Sequence, residues 1–349
     1  MSGYGSSNPH YSIRPDWLAL HDEPVLKPEL PIVDCHHHLW HRPENRYFLL
    51  DFLQDANSGH DIRSSVFMEC GAMYRRCGPP EFKPVGETEF INGMAAMAAS
   101  GNYGDCQACT GIIGHADLRL GDALQSVVEA HIRAGGDRFR GIRQIAAWHP
   151  DPAARGSLAN PPPDLLAQPS IRRGLQVLGR HKLTFDTFAY HTQLREITAI
   201  ARACEDVPVI VNHTGGAIGI GPYAGKRDEV FADWRGSMLE LARSPNVHVK
   251  LGGLGMRLFG FGFGDRPRPP SSQELASAWA PYFETCIEAF GPQRCMFESN
   301  FPVDKGSCSY AVLWNAFKRV TLAYSPAEKS ALFSATATEV YRLPETAKT

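Results

Sequence analysis

Three consecutive histidines, His36, His37 and His38, stand between Asp34 and Trp40 at the end of a short β-rich run. Side chains alternate between faces along a strand, so Asp34, His36 and His38 are expected to share one face and His37 the other. Two imidazoles at i and i+2 can grip one divalent cation, and three in a row are hard to explain by packing alone. Four further residues have types suited to chemistry. His213 ends the apolar run Val209-Ile210-Val211, where a core histidine is the alternative. Arg143 carries a planar fork that pairs two-pronged with a carboxylate, or else makes a structural ion pair. Glu298 and Asn300 are separated by two positions and are expected on one face, with Glu298 one layer deeper. Such a carboxylate is costly unless it meets a metal, a histidine or a basic side chain. Cys106 and Cys109 form a lone C-x-x-C, read as core thiols in preference to a zinc or redox pair.

Eight β-rich runs can position these groups: 32–36, 65–70, 110–115, 139–145, 183–188, 207–213, 247–251 and 294–299. Helical periodicity is expected over 87–99, 121–134, 170–180, 193–204, 233–244, 272–290 and 311–320, and over 326–333 after a Ser325 cap and Pro326. Eight strand–helix units predict an α/β fold, a single (β/α)8 TIM barrel with catalytic groups at the C-terminal ends of its strands. A doubly wound sheet would want a glycine-rich turn after the first strand, which ends in histidines instead. An N-terminal arm is expected over 1–30, either disordered or a homo-oligomer contact, and the barrel over 31–349. Long loops at 71–86 and 252–272 are expected over the barrel mouth, as lids or binding loops. In the second, Phe259, Phe261 and Phe263 either pack down the loop or contact an apolar substrate. Glu69, Asp186, His191 and Lys250 sit where side chains can reach the mouth, whereas Glu87 reads as negative charge at a helix start.

The composition narrows the function classes. The chain has 349 residues with 35 Lys plus Arg against 37 Asp plus Glu, so there is no basic excess to neutralise a nucleic-acid backbone. No run approaches the ~20 apolar residues that span a bilayer. The first thirty residues lack the apolar core of a secretory signal, and nine scattered cysteines fit reduced thiols, so a cytoplasmic protein is expected.

Asp34, His36, His38 and Trp40 match D-x-H-x-H-x-W, and with this motif the chain resembles the amidohydrolase superfamily, in its amidohydrolase-2 group. Gly141-Ile142-Arg143-Gln144, the histidine–glycine segment from Val211 to Gly216, and Met296 to Val303 continue the likeness in order, over about residues 31–343. The resemblance implies a barrel hydrolase, and Trp40 tilts it towards the lactone-cleaving members. It implies attack of an activated water on a cyclic ester, with positive groups holding an anionic small-molecule substrate. Arg143 is the expected clamp, with Trp40, Glu69 and Lys250 as further substrate-binding candidates. His36 and His38 would ligate a divalent metal, with zinc favoured by nitrogen ligands and manganese the alternative, while a metal-independent mechanism stays open.

Where the family carries a strand-eight aspartate that takes a proton from water, this chain has Asn300, which has no titratable carboxylate. Glu298 is then the expected base or ligand, Asp304 the solvent-side alternative, and His213 a member of the electrophilic centre. The resemblance leaves a second enzyme reading, non-oxidative decarboxylation of a carboxylated aromatic or unsaturated acid. A third is a degenerate barrel that binds a metabolite without turnover.

Overall fold

The computed structural model describes residues 9–43 and 45–344; residues 1–8 of the expected arm and 345–349 lie outside it. Ten strands occur among the described residues: β1 (Pro31–His37), β2 (Trp40–Arg42), β3 (Asn45–Tyr47), β4 (Asp61–Met68), β5 (Gln107–His115), β6 (Phe139–Arg143), β7 (Thr184–Thr187), β8 (Val209–Val211), β9 (Val247–Leu251) and β10 (Cys295–Phe297). All but β2 and β3 form one parallel eight-stranded sheet in the order β1-β4-β5-β6-β7-β8-β9-β10. The ring closes just beyond the last strand, where Asn300 N–H donates to His36 O and His38 N–H to Phe301 O, each at 2.8 Å. The predicted (β/α)8 barrel is therefore present, and each of the eight expected runs overlaps one of its strands.

The helices follow from amphipathic spacing and caps. The helix Ser272–Phe290 begins in a Ser271–Glu274 capping box, and Pro326–Ser330 begins in a Ser325–Glu328 box as the sequence predicts. The last helix does not stop at 333. It passes through a π turn, Ala331–Ala335, into Thr336–Val340, and the tail then plugs the N-terminal end of the barrel. Tyr341 and Leu343 join Val33, Val66, Ile113 and Met296 in the apolar interior, and Arg342 donates to Lys182 O just before β7.

Two elements after β1 were not predicted. Strands β2 and β3 form a hairpin, and the helix Leu49–Ala56 follows, burying Leu49, Phe52, Leu53 and Ala56. The described part of the arm packs against its own barrel. Tyr11 OH donates to Asp265 at 2.9 Å, Trp17 Nε1 to Arg266 O at 2.9 Å, and Leu26 N–H to Asn315 at 2.8 Å. The 252–272 loop takes the packing alternative: Phe259 and Phe263 are buried and Phe261 stacks on Phe263. Cys106 and Cys109 are likewise buried thiols. No helix among the described residues is long and apolar enough to cross a membrane.

Candidate active site

The first strand does not keep the alternation the sequence predicts. Its pairing with β4 shifts register between Asp34 and His37, and a bulge of this kind re-aims side chains. Cys35 joins the barrel interior, while Asp34 turns towards the helices. There it accepts from Ser299 Oγ at 2.6 Å and Tyr310 OH at 2.9 Å. Asp34 is therefore a buried brace between β1 and the segment after β10, not a member of the mouth, and burial raises its pKa to about 6. His37 also faces outward, stacked on Phe52 at 4.0 Å with Nε2 2.9 Å from Ser65 Oγ.

His36 and His38 do point into the barrel, with their Nε2 atoms 3.2 Å apart. His38 Nδ1 lies 2.8 Å from the Met68 carbonyl, which can only accept, so the ring proton sits on Nδ1 and Nε2 keeps its lone pair. His36 Nε2 faces Arg143 Nη1, which can only donate, at 3.5 Å, so its lone pair lies on Nε2, while its Nδ1 lies 2.7 Å from Glu298 Oε2. Burial holds both imidazoles well below their ordinary pKa, so neither carries a second proton near neutrality. Asn300 Nδ2 donates to Asp304 Oδ1 at 2.9 Å, which turns Asn300 Oδ1 towards His38 Nε2, 3.3 Å away. Two nitrogens and one oxygen, all acceptors, thus converge with no proton of their own between them.

That donor set fits a divalent cation. A second set overlaps it: ligand atoms of His36, His213 and Glu298 lie within 4.8 Å of one another. Within it, His36 Nδ1 and Glu298 Oε2 are buried and, despite their closeness, not aligned as a hydrogen bond. Glu298 is held on its other side by His213, whose backbone N–H donates to Oε1 at 3.0 Å and whose Nδ1 lies 2.6 Å from the same oxygen. The expected meeting of Glu298 with a histidine therefore occurs twice, and among the described residues no Arg or Lys pairs with it. Only glycine fits alongside: a Cβ on Gly252 would come within 2.4 Å of Glu298 Cγ. His213, Thr214 and Asn300 all adopt positive φ, so unfavourable backbone conformations gather around these groups.

Above the histidines opens a cavity of about 810 Å³, lined by His38, Trp40, Glu69, Arg143, His213 and Asn300 among others. Arg143 both lines the cavity and makes the ion pair offered as its alternative. Its Nε donates to Glu69 Oε1 at 2.8 Å and its Nη2 to the Glu69 carbonyl, while Nη1 lies 3.5 Å from His36 Nε2. Trp40 stacks on His38 at 5.5 Å.

Several expected positions need correction. Lys250 does not reach the mouth. It pairs across the ladder with Met296, two residues before Glu298, and is fully buried with Nζ 3.0 Å from Asp186 Oδ1. Asp304 is not solvent-side either, because the chain turns back after β10 into Asp304–Gly306 and buries it completely. There its Oδ2 accepts from Gly255 N–H at 3.0 Å, and burial raises its pKa to about 8. Asp186 lies on the barrel floor, and His191 is buried with Nδ1 accepting from Ile218 N–H. Glu87 is more than a helix-start charge: its Oε1 accepts from Cys70 and Ala72 N–H and pins the 71–86 loop.

Residues missed from the sequence also line the cavity: His10 of the arm, Arg42 of the hairpin, Tyr74, His115, and the 156–165 segment after β6. Only the hairpin and its helix carried a readable signal, in Pro43 and Asn45 as turn formers and in apolar positions 49, 52, 53 and 56 at helical spacing.

Known proteins share this architecture. The family model described as Amidohydrolase matches residues 33–343. The uncharacterized protein y4mH of Sinorhizobium fredii is 33% identical over 337 residues, covering 90% of this chain and 99% of that one. The L-fucono-1,5-lactonase of Burkholderia multivorans is 27% identical over 241 residues, covering 68% of this chain and 72% of its own. A crystal structure of an amidohydrolase from Burkholderia multivorans with bound zinc superimposes with a TM-score of 0.66 at 24% identity, covering 90% of this chain and 99% of that one. The family match runs from β1 to the barrel plug and takes in every histidine of the cavity floor: the chain belongs to the amidohydrolase family and is a hydrolase.

Proposed function

We propose that the chain is a metal-assisted lactonase, opening a cyclic ester by attack of water. The observation that carries the reading is the convergence of His36 Nε2, His38 Nε2 and Asn300 Oδ1, three acceptors without a proton, beneath an open cavity. These residues would hold a divalent cation, zinc by preference for nitrogen ligands. When bound, such an ion polarises an ester carbonyl and lowers the pKa of water.

The protein's own groups supply the remaining steps. Glu298 occupies Nδ1 of His213, which fixes the tautomer and leaves Nε2 as the nitrogen able to take a proton. His213 lines the cavity whereas Glu298 does not, so His213 is the better general base and Glu298 the carboxylate that stabilises its imidazolium. Water oxygen bonds to the lactone carbonyl carbon as its proton passes to His213 Nε2. The ring C–O bond then breaks and the proton returns to the departing alkoxide, giving a hydroxy acid. Arg143, held on one edge by Glu69, turns Nη1 towards the same region and supports developing negative charge on the carbonyl oxygen. The L-fucono-1,5-lactonase relative supports ring opening as the reaction class.

Mass spectrometry of products from a panel of five- and six-membered lactones tests this. A gain of one water is expected. Carbon dioxide release from a carboxylated acid, with a product one carbon shorter, would overturn it in favour of decarboxylation. Binding without turnover across the panel would leave only a binding barrel.

A further inference from the structure

Three arginines line the cavity, and two already have carboxylate partners. Arg143 is bound to Glu69, and Arg119 gives Nε and Nη2 to Asp117 at 2.7–3.0 Å. Arg42 differs. Its Nη2 donates to the Cys70 carbonyl at 3.1 Å, its guanidinium lies 3.8 Å over the Trp40 ring, and no carboxylate meets it among the described residues. The aromatic face holds the fork flat and leaves its other N–H groups for a ligand. Trp40 in turn stacks on His38, with ring planes 21° apart. Cation, indole and imidazole therefore form a column from the hairpin to the reacting end of the cavity.

Much of the remaining lining is apolar. Tyr74, Leu158, Pro161, Leu165 and Met256 contribute ring and aliphatic surface. Of the polar side chains among them, Gln144 accepts from Leu118 N–H and donates towards Asp117, and Ser157 Oγ accepts from Ala159 N–H. Ring hydroxyls buried against the apolar surface would lose their hydrogen bonds to water.

We infer that the substrate is a lactone with an apolar body and one oxyanion, and that Arg42 is the specificity-determining residue that takes the oxyanion. The inference rests on the ring-opening reading above. A bidentate guanidinium–carboxylate contact at the end of the Trp40–His38 column fixes one end of the substrate and lays its ring carbonyl over the histidines.

Three probes test it: 3,4-dihydrocoumarin, its 4-carboxylate, and D-glucono-1,5-lactone. The wild-type chain is expected to prefer them in the order carboxylate, neutral aromatic lactone, sugar lactone. In Arg42→Met, the ratio of kcat/KM for the carboxylate over the neutral lactone falls about 10- to 100-fold, mainly through KM, and Arg42→Lys recovers part of it. An unchanged ratio in a folded variant, judged by circular dichroism, or a wild-type preference for the sugar lactone, would overturn the inference. If the wild-type chain opens none of the three, ring opening itself fails, and Arg42 is read instead by calorimetric titration with phthalate. At least tenfold weaker phthalate binding in Arg42→Met would then support the anion site; equal affinities, or no binding by wild type, would overturn it.

Discussion

The two ends of the barrel interior each bury a cluster of polar side chains, yet their hydrogen-bonding balance is opposite. On the floor, Asp186 accepts from Tyr341 OH at 2.8 Å, Asn212 Nδ2 at 3.2 Å and Thr184 Oγ1 at 3.2 Å and forms an ion pair with Lys250 at 3.0 Å, so one carboxylate faces several donors. Under the mouth, acceptors face acceptors: His36 Nε2, His38 Nε2 and Asn300 Oδ1 meet with no proton of their own, approached by Arg143 Nη1 at 3.5 Å. The floor carboxylate is satisfied by the fold itself, whereas acceptors that meet one another call for something that binds. The floor therefore reads as architecture and the mouth as chemistry.

The sharpest way to break this contrast is to deprive the upper cluster of the cation proposed for it. Dialysis against a chelator should abolish lactone hydrolysis, and zinc should restore it; undiminished turnover of metal-free protein, checked by elemental analysis, would mean the acceptors are satisfied in another way. His36→Ala and His38→Ala should each lower kcat by about a hundredfold or more, measured on protein with a normal melting curve.

Cutting the lower cluster should do the reverse. Lys250→Met leaves Asp186 buried without its cation and should cost about 3–5 kcal/mol in urea unfolding, with kcat of the folded protein changed by less than about threefold. A large loss of kcat at unchanged stability would erase the distinction between the two ends.

Buried histidines outside both clusters calibrate the contribution of a matched partner. His131 lies between Thr88 Oγ1 at 2.8 Å and the His115 carbonyl at 3.0 Å, and burial lowers its pKa from 6.5 to about 4. Between those values the unfolded chain binds the proton and the folded chain does not, so stability falls as pH drops from 6.5 towards 4. Urea titrations across that window should show His131→Gln losing roughly 3 kcal/mol less than wild type. Smallest of all, Cys109→Ala should leave zinc content unchanged and cost about 1 kcal/mol as a buried thiol; loss of metal would return the C-x-x-C to the list of ligands.

The sequence showed the barrel because strand runs and amphipathic helices are local patterns; all eight barrel strands were legible, and of their helices the one after the first strand, Leu49–Ala56, was not. It showed His36, His38, His213 and Glu298 as partners because each ends or extends such a run. What it hid were depths and bends. Lys250 shares a strand end with mouth residues, but the ladder register that sets it beside Met296 is non-local. Asp34 follows the alternation rule until a bulge, created by pairing with β4, breaks it. Asp304 stands in a loop that reads as exposed and is buried only because Gly255, 49 positions earlier, comes to its carboxylate. Arg42 and His10 belong to segments whose position depends on the finished barrel.

Tyr11 gives the fold an order of assembly. Its ring is wedged against two backbones, such that a Cβ on Gly264 would lie 2.6 Å from it and one on Gly306 2.5 Å from its own Cβ. Its hydroxyl partner, Asp265, is 254 positions away. Tyr11 can dock only after residues up to Gly306 have emerged from the ribosome, and closure between His36 and Asn300 waits for nearly the same moment. A chain made only as far as its middle strands therefore cannot bring its histidines together with their carboxylate, and hydrolytic power arrives only after Asn300 has emerged.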